Sequence, residues 1–230
     1  MIRVIGDVHN KLSQYVPIAQ EAEHSLQLGD MGFDYTELSE LNPRRHRFFG
    51  GNHDNYDLYD DSSHALGDYG SEMLGCIEFF YVRGSISIDC VQRVQDFILS
   101  GHKSWWYEEE LNSKQLEAAI DLYTKIKPNI MITHDCPSVI KSRFASSTAM
   151  KRFGWPEDHT CLTQQALTVM HETHPPKLHF LGHWHRNWNA VIDGTHFIMI
   201  DELSWVDLKK ENGRYIVTSP EGKELANISA

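Results

Sequence analysis

Apolar residues in this 230-residue chain come in short runs, and most of the runs stop at a glycine or threonine followed at once by Asp, Asn or His. MIRVIG halts at Gly6-Asp7, HSLQLG at Gly29-Asp30, and RHRFF at Gly50-Gly51-Asn52-His53-Asp54. IMIT halts at His134-Asp135 and LHFL at Gly182-His183. Runs this short, rich in Ile, Leu, Phe and Val, predict buried strands. Between them the spacing changes to a helical one. Residues Ser13 to Glu23 predict an amphipathic helix. Asn112 or Ser113 caps a second that runs to about Ile126, with Leu116, Ala119, Ile120 and Tyr123 along one face. A third covers Cys161 to Glu172. The polar stretch Asn55 to Gly75 reads as loop, and CIEFFYV and SISIDC read as strands on either side of Arg83-Gly84. Asp193-Gly194 between WNAVI and THFIMI predicts a tight hairpin, and Asn212-Gly213 before RYIV hints at another. With no repeat, low-complexity tract or linker, the expectation is one domain over residues 1–230.

The strand ends carry the chemistry. They deliver Asp7 and His9, Asp30, Asn52 and His53, His134, and His183 and His185. In open α/β sheets ligands collect outside the carboxyl ends of the strands, and small residues there let the chain turn and present the next side chain. In GHWH, extended backbone puts His183 and His185 on the same side. The donors are oxygens and imidazoles with no thiolate, which points away from a closed structural zinc site and towards a catalytic one. Asp7, His9, Asp30, Asn52, His134, His183 and His185 are also too many for one ion with an open position. A carboxylate bridges two ions readily, and paired ions about 3.5–4 Å apart clamp a displacement at phosphorus. Asp30, central in the order, is the natural bridge.

GDVH, LGD, GGNHD, Thr-His after an apolar strand, and GHWH occur here in the order and approximate spacing of the calcineurin-like metallophosphoesterases, which the chain resembles from Gly6 to His185. The resemblance implies an α/β fold of two mixed β-sheets packed face to face and flanked by helices. It implies that one divalent ion takes Asp7, His9, Asp30 and His185, and a second takes Asp30, Asn52, His134 and His183. It further implies hydrolysis of a phosphoester or phosphoanhydride by a metal-bound hydroxide, with His53 as the general acid oriented by Asp54. Manganese is the favoured ion, with iron or zinc as alternatives. In the protein Ser/Thr phosphatases the second block reads GDxxDRG; here it is GDMGFD, with Gly32 followed by Phe33 and no Arg, which lowers that activity. A non-catalytic scaffold of the same fold would be expected to lose ligands, and this chain keeps them.

Other residues remain open to two readings. His102 in SGHKSWW competes with His134, which follows the cleaner buried strand. Trp105-Trp106 reads as packing or as a stacking surface for a base, and Arg83 as a phosphate clamp or a salt bridge. Asp34 and Asp89 read as outer partners of ligand histidines or as solvated carboxylates, and Asp135 as a neighbour that adjusts His134.

Composition narrows the partners. A formal charge of −11 disfavours duplex nucleic acid and anionic membranes, and the one basic cluster, Arg44-Arg45-His46-Arg47, is short. It leaves room for a small phosphorylated substrate, because bound cations reverse the local field. Cys76, Cys90, Cys136 and Cys161 form no CxxC pair and read as reduced thiols of a cytoplasmic protein. No apolar run approaches the ~20 residues that cross a bilayer, and MIRVIGD lacks the layout of a signal peptide.

Overall fold

The computed structural model describes residues 1–143, 151–156 and 158–230. The first runs of the sequence form β1 (Ile2–Ile5), β2 (His24–Gln27) and β3 (His46–Phe48), which lie side by side and parallel. Beside β1, antiparallel to it, lies β10 (Trp205–Glu211), followed outward by β11 (Arg214–Thr218) and β12 (Glu224–Ser229) in a meander. The order β12-β11-β10-β1-β2-β3 makes the first sheet of six strands. A second sheet of six has the order β4-β5-β6-β7-β9-β8. Its parallel centre is β5 (Ile77–Val82), β6 (Ile130–Thr133), β7 (Leu178–Leu181) and β9 (Thr195–Met199). Antiparallel edges are supplied by β4 (Tyr69–Leu74) and β8 (Trp188–Ile192).

The sheets pack face to face. Ile2, Val4, Leu26, Leu28 and Phe49 from the first meet Phe79, Ile130, Ile132, Leu178, Phe180 and Ile198 from the second. The opposite faces are also covered, which is why these strands read as unbroken apolar runs and not as alternating ones. Helix α1 (Leu12–Gln20) lays Leu12, Tyr15, Val16 and Ala19 beside Ile5 and Phe48. Two short helices, α2 (Tyr56–Tyr59) and α5 (Ser138–Lys141), lie in connections, and α3 (Cys90–Ser100) buries little besides Arg93. Helices α4 (Ser113–Ile126) and α6 (Leu162–Thr173) cover the second sheet through Leu116, Ala119, Tyr123, Ala166, Leu167 and Met170. Asn112 caps α4, its side chain accepting from the amides of Lys114 and Gln115. Both hairpins form: Asp193 and Gly194 take φ of 48° and 85°, Asn212 and Gly213 take 50° and 70°. No helix among the described residues is long and apolar enough to cross a membrane.

Two expectations are corrected. The stretch Asn55 to Gly75 holds α2 and β4. SISIDC does not join a sheet; it runs as irregular chain, its Ser85 amide donating to the Glu109 carbonyl, that buries Ser85 and Ser87 and then enters α3. Beyond His185 the expected strands WNAVI, THFIMI and RYIV form as β8, β9 and β11, and β10, which lies at the centre of the first sheet, sends Val206 and Leu208 into the core. The charges of WVDLKKE hide that strand, because only its alternate residues are buried.

Candidate metal centre

The carboxyl ends of β1, β2 and β3 in one sheet, and of β5, β6 and β7 in the other, converge on one rim of the sandwich. The turns that follow are tighter than the glycines alone require. His9, Asp30, His183 and His185 themselves take positive φ, between 47° and 66°. Non-glycine residues in the left-handed region are uncommon and persist where surrounding contacts hold them. Here the amides of Val8 and His9 both donate to the Asp30 carbonyl, and the His183 amide donates to the Asp7 carboxylate at 3.0 Å. Close approach explains two glycines: a Cβ on Gly51 would collide with Asp30 Oδ1, and one on Gly182 with Asp7 Oδ1.

Two groups of donors result. Asp7, His9, Asp30 and His185 bring ligand atoms within 4.8 Å of one another, and Asp30, His134 and His183 do the same. Asp30 belongs to both. His9 Nε2 and His185 Nε2 are 3.0 Å apart, and His185 Nε2 is 3.2 Å from Asp7 Oδ2. In the second group His134 Nδ1 donates to the Leu28 carbonyl at 2.8 Å. That bond orients the ring and turns Nε2 towards Asn52 Oδ1 at 3.0 Å and Asp30 Oδ1 at 3.3 Å, and the facing Asp30 and Asp7 raise its pKa despite its burial. The Asn52 amide is itself oriented, because its Nδ2 donates to Ser87 Oγ at 3.1 Å and Ser87 donates to Glu109 at 2.6 Å.

The electrostatics ask for cations. Asp7, Asp30 and Asp54 are each buried to within 1 % exposure. Burial, with Asp7 and Asp54 nearby, pushes the Asp30 carboxyl up to about 7. Asp7 falls to about 2 despite its burial, because His185, His134 and the His183 amide face it. Burial lowers His183 to about 4. A ring nitrogen directed at two oxygens, paired imidazole nitrogens at 3.0 Å and clustered buried carboxylates make a donor set that a divalent ion satisfies. The donor set therefore fits two ions sharing Asp30. The side chain of His185 remains 46 % exposed, so the first group faces solvent.

Several predicted roles are placed differently. Asp54 does not reach the His53 ring: its oxygens accept from the amides of Asp30, Gly51 and Gly32 at 2.7–3.0 Å and from Tyr35 Oη at 3.2 Å. It ties the loops after β2 and β3 together. The group against His53 is Arg93, whose Nη2 lies 3.0 Å from Nδ1. Burial and that guanidinium push the imidazole down to about 2, so it is held neutral and not as the expected imidazolium. Arg93 also donates to the Asn52 and Ser104 carbonyls and pairs with Asp89 at 3.0 Å, which gives Asp89 a structural partner. Asp34 caps Thr36 on the surface. Asp135 accepts from Ser85, Gln164 and Trp184 and acts on the His183 side more than on His134. His102 is exposed beyond the end of α3.

Arg83 is drawn into the fold. Its Nε bonds Asp68 at 2.7 Å, its Nη1 the Glu108 carbonyl at 2.6 Å, and its guanidinium lies 4.6 Å from the Tyr56 ring centroid. Arg83→Ala is therefore expected to lower stability by ~2 kcal/mol, discounted from a fully buried pair because Asp68 is partly open, with KM unchanged. Thermal denaturation beside steady-state kinetics checks both halves.

No protein-family model matches the chain, and no curated protein matches it in sequence. Solved structures do match its fold. The phosphopantetheinyl hydrolase of Mycobacterium tuberculosis superposes with a TM-score of 0.50 at 14 % identity, over 87 % of this chain and 89 % of that one. GAP50, described as the anchor in the inner membrane complex of Plasmodium, gives 0.51 at 10 %, over 99 % and 88 %. A Staphylococcus aureus protein described as a candidate 5′-nucleotidase gives 0.54 at 11 %, over 99 % of this chain but 52 % of its own length. The fold is that of the calcineurin-like metallophosphoesterases.

Proposed function

We propose that this chain is a phosphoesterase that works with two divalent ions. The observation that carries the reading is the pair of donor groups sharing Asp30. Asp7, His9, Asp30 and His185 would hold one ion; Asp30, Asn52, His134 and His183 would hold the other. When bound, such ions supply Lewis acidity at phosphorus and a nucleophile drawn from acidified water. The chain's own residues do the rest. Leu28 and Ser87 fix the orientations of His134 and Asn52. His53 and Arg93 sit at the edge of the donor cluster, the His53 ring 5.0 Å from that of His9. In this reading they meet a leaving oxygen, the neutral ring offering N–H and the guanidinium offering charge. Oxygen and imidazole donors suit manganese, with iron or zinc as alternatives. The formal charge of −11, with Arg44-Arg45-His46-Arg47 as a short basic cluster, favours a small phosphorylated substrate over nucleic acid. The complete donor set weighs against a purely scaffolding role.

The test is elemental analysis of the metal-saturated chain followed by a panel of small phosphomono- and phosphodiesters. Two ions per chain are expected, with hydrolysis that stops on chelation and returns with Mn2+. One ion per chain at saturation sinks the dinuclear reading, and a panel without turnover sinks the enzymatic one.

A further inference from the structure

Beside the donor cluster lies a second feature that the hydrolytic chemistry does not use. A cavity of about 140 Å³ is lined by Trp105, Tyr107 and Trp155, with Ser85 and Ser87 among its other residues. Those serines join it to the centre. Ser87 Oγ accepts from Asn52 Nδ2 at 3.1 Å, and Ser85 Oγ lies 3.4 Å from His183 Nε2. A group held here is therefore within one residue of the proposed ligands of the second ion.

The lining decides what kind of group that is. Several of its polar atoms are engaged within the protein. Ser87 donates to Glu109, Ser85 donates to Asp135, and Glu110 accepts from the Thr163 amide. Trp155 Nε1 is bonded to the Ile88 carbonyl at 2.7 Å, and its ring packs on His159 with centroids 4.3 Å apart, so the indole is held in place. Trp105 is half-buried, and Tyr107 is 75 % exposed although Trp106 between them is buried. What remains for an occupant is mostly ring surface. Burial pushes the Glu109 carboxyl up to about 8, so the carboxylate of Glu110 is the group that disfavours a second phosphate at this spot.

We infer that this cleft is a subsite for an uncharged flat aromatic ring, a nucleobase or aryl group carried by the phosphoester whose phosphorus sits at the metal centre. Recognition is by stacking, not by edge hydrogen bonds, so the cleft distinguishes ring from no ring and discriminates weakly among bases. The inference rests on the phosphoesterase reading for its substrate but not for its binding.

The experiment uses the full chain and needs no turnover for its first part. Adenosine and phenol, each without phosphate, are titrated by equilibrium dialysis, with ribose as the control. Saturable binding of a ring compound is expected, and none of ribose; which ring binds more tightly separates nucleobase from aryl. Tyr107→Ala changes an exposed side chain and Trp105→Leu a half-buried one, so the first variant keeps the test valid if the second folds poorly. Each is expected to weaken ring binding roughly 5- to 150-fold, the worth of one stacked base. Each should lower kcat/KM on a nucleoside monophosphate by a similar factor, with glycerol phosphate turnover and metal content unchanged. Failure of both ring compounds to bind overturns the subsite, as does an equal loss on the nucleoside and glycerol esters. Ring binding by a chain that hydrolyses no ester leaves the subsite standing and removes the phosphoesterase reading instead.

Discussion

Asp30→Asn is expected to empty both ion positions at once, whereas His9→Ala empties one. The carboxylate is the only side chain common to the two donor groups, and an amide offers one oxygen where two are needed. Loss of affinity should exceed the roughly 10–100-fold typical of disturbing an outer partner. Turnover should fall with it. The pH dependence follows from the position of Asp30 without ions, up at about 7 because it is buried beside other carboxylates. Below that pH a proton occupies the oxygen that an ion must take, so ion affinity falls as pH drops through about 7 and uptake at pH 6 releases a proton that uptake at pH 8 does not. Elemental analysis of the two variants, with calorimetric titration of the parent in buffers of different ionisation enthalpy, measures both effects. Two ions retained by Asp30→Asn, or both lost from His9→Ala, would refute the shared-carboxylate arrangement.

Much of this centre is legible in the sequence, because each donor follows a buried strand within one to four residues and the strand signals are strong. The turns after β1, β2, β6 and β7 announce Asp7, Asp30, His134 and His183 directly. What escapes has no local signal. Arg93 lies on α3, a helix whose sequence, CVQRVQDFILS, gives no reason to aim one guanidinium at a histidine forty positions earlier in the chain. The Leu28 carbonyl that orients His134 is backbone, invisible to any reading of side-chain types. Asp54 misleads for a related reason. Adjacent to His53 in GNHD, it invites pairing with its neighbour, yet the turn sends the carboxylate inward, where it accepts from three backbone amides that burial would otherwise leave unpaired. Strand β10 escapes because a half-buried strand beside charged residues resembles a surface segment until its pairing with β1 is known.

That rearrangement around His53 sets the second large effect. His53→Gln is expected to keep both ions, since the ring belongs to neither donor group, and to lower kcat on an alkyl phosphate by about 10²-fold. The low end of the usual range applies because a ring held neutral down to about 2 is a weaker proton donor than an imidazolium. It also means that His53 contributes no limb to the pH–rate profile between pH 5 and 8. A nitrophenyl ester leaves as a stabilised phenolate and should lose less than the alkyl ester, which expels a strongly basic alkoxide. Two neighbouring variants separate the partners. Arg93→Lys keeps a cation but not the planar fork, and should reproduce the leaving-group dependence of His53→Gln in weaker form. Asp54→Asn loses the charge that three amides and Tyr35 share, so its melting temperature and ion affinity should fall together while the two esters suffer equally. If Asp54→Asn instead shows the leaving-group dependence and Arg93→Lys does not, the ring is governed by Asp54 after all. Equal losses on both esters in His53→Gln, or departure of an ion, would give His53 a structural or ligating role and return the leaving oxygen to the ions alone.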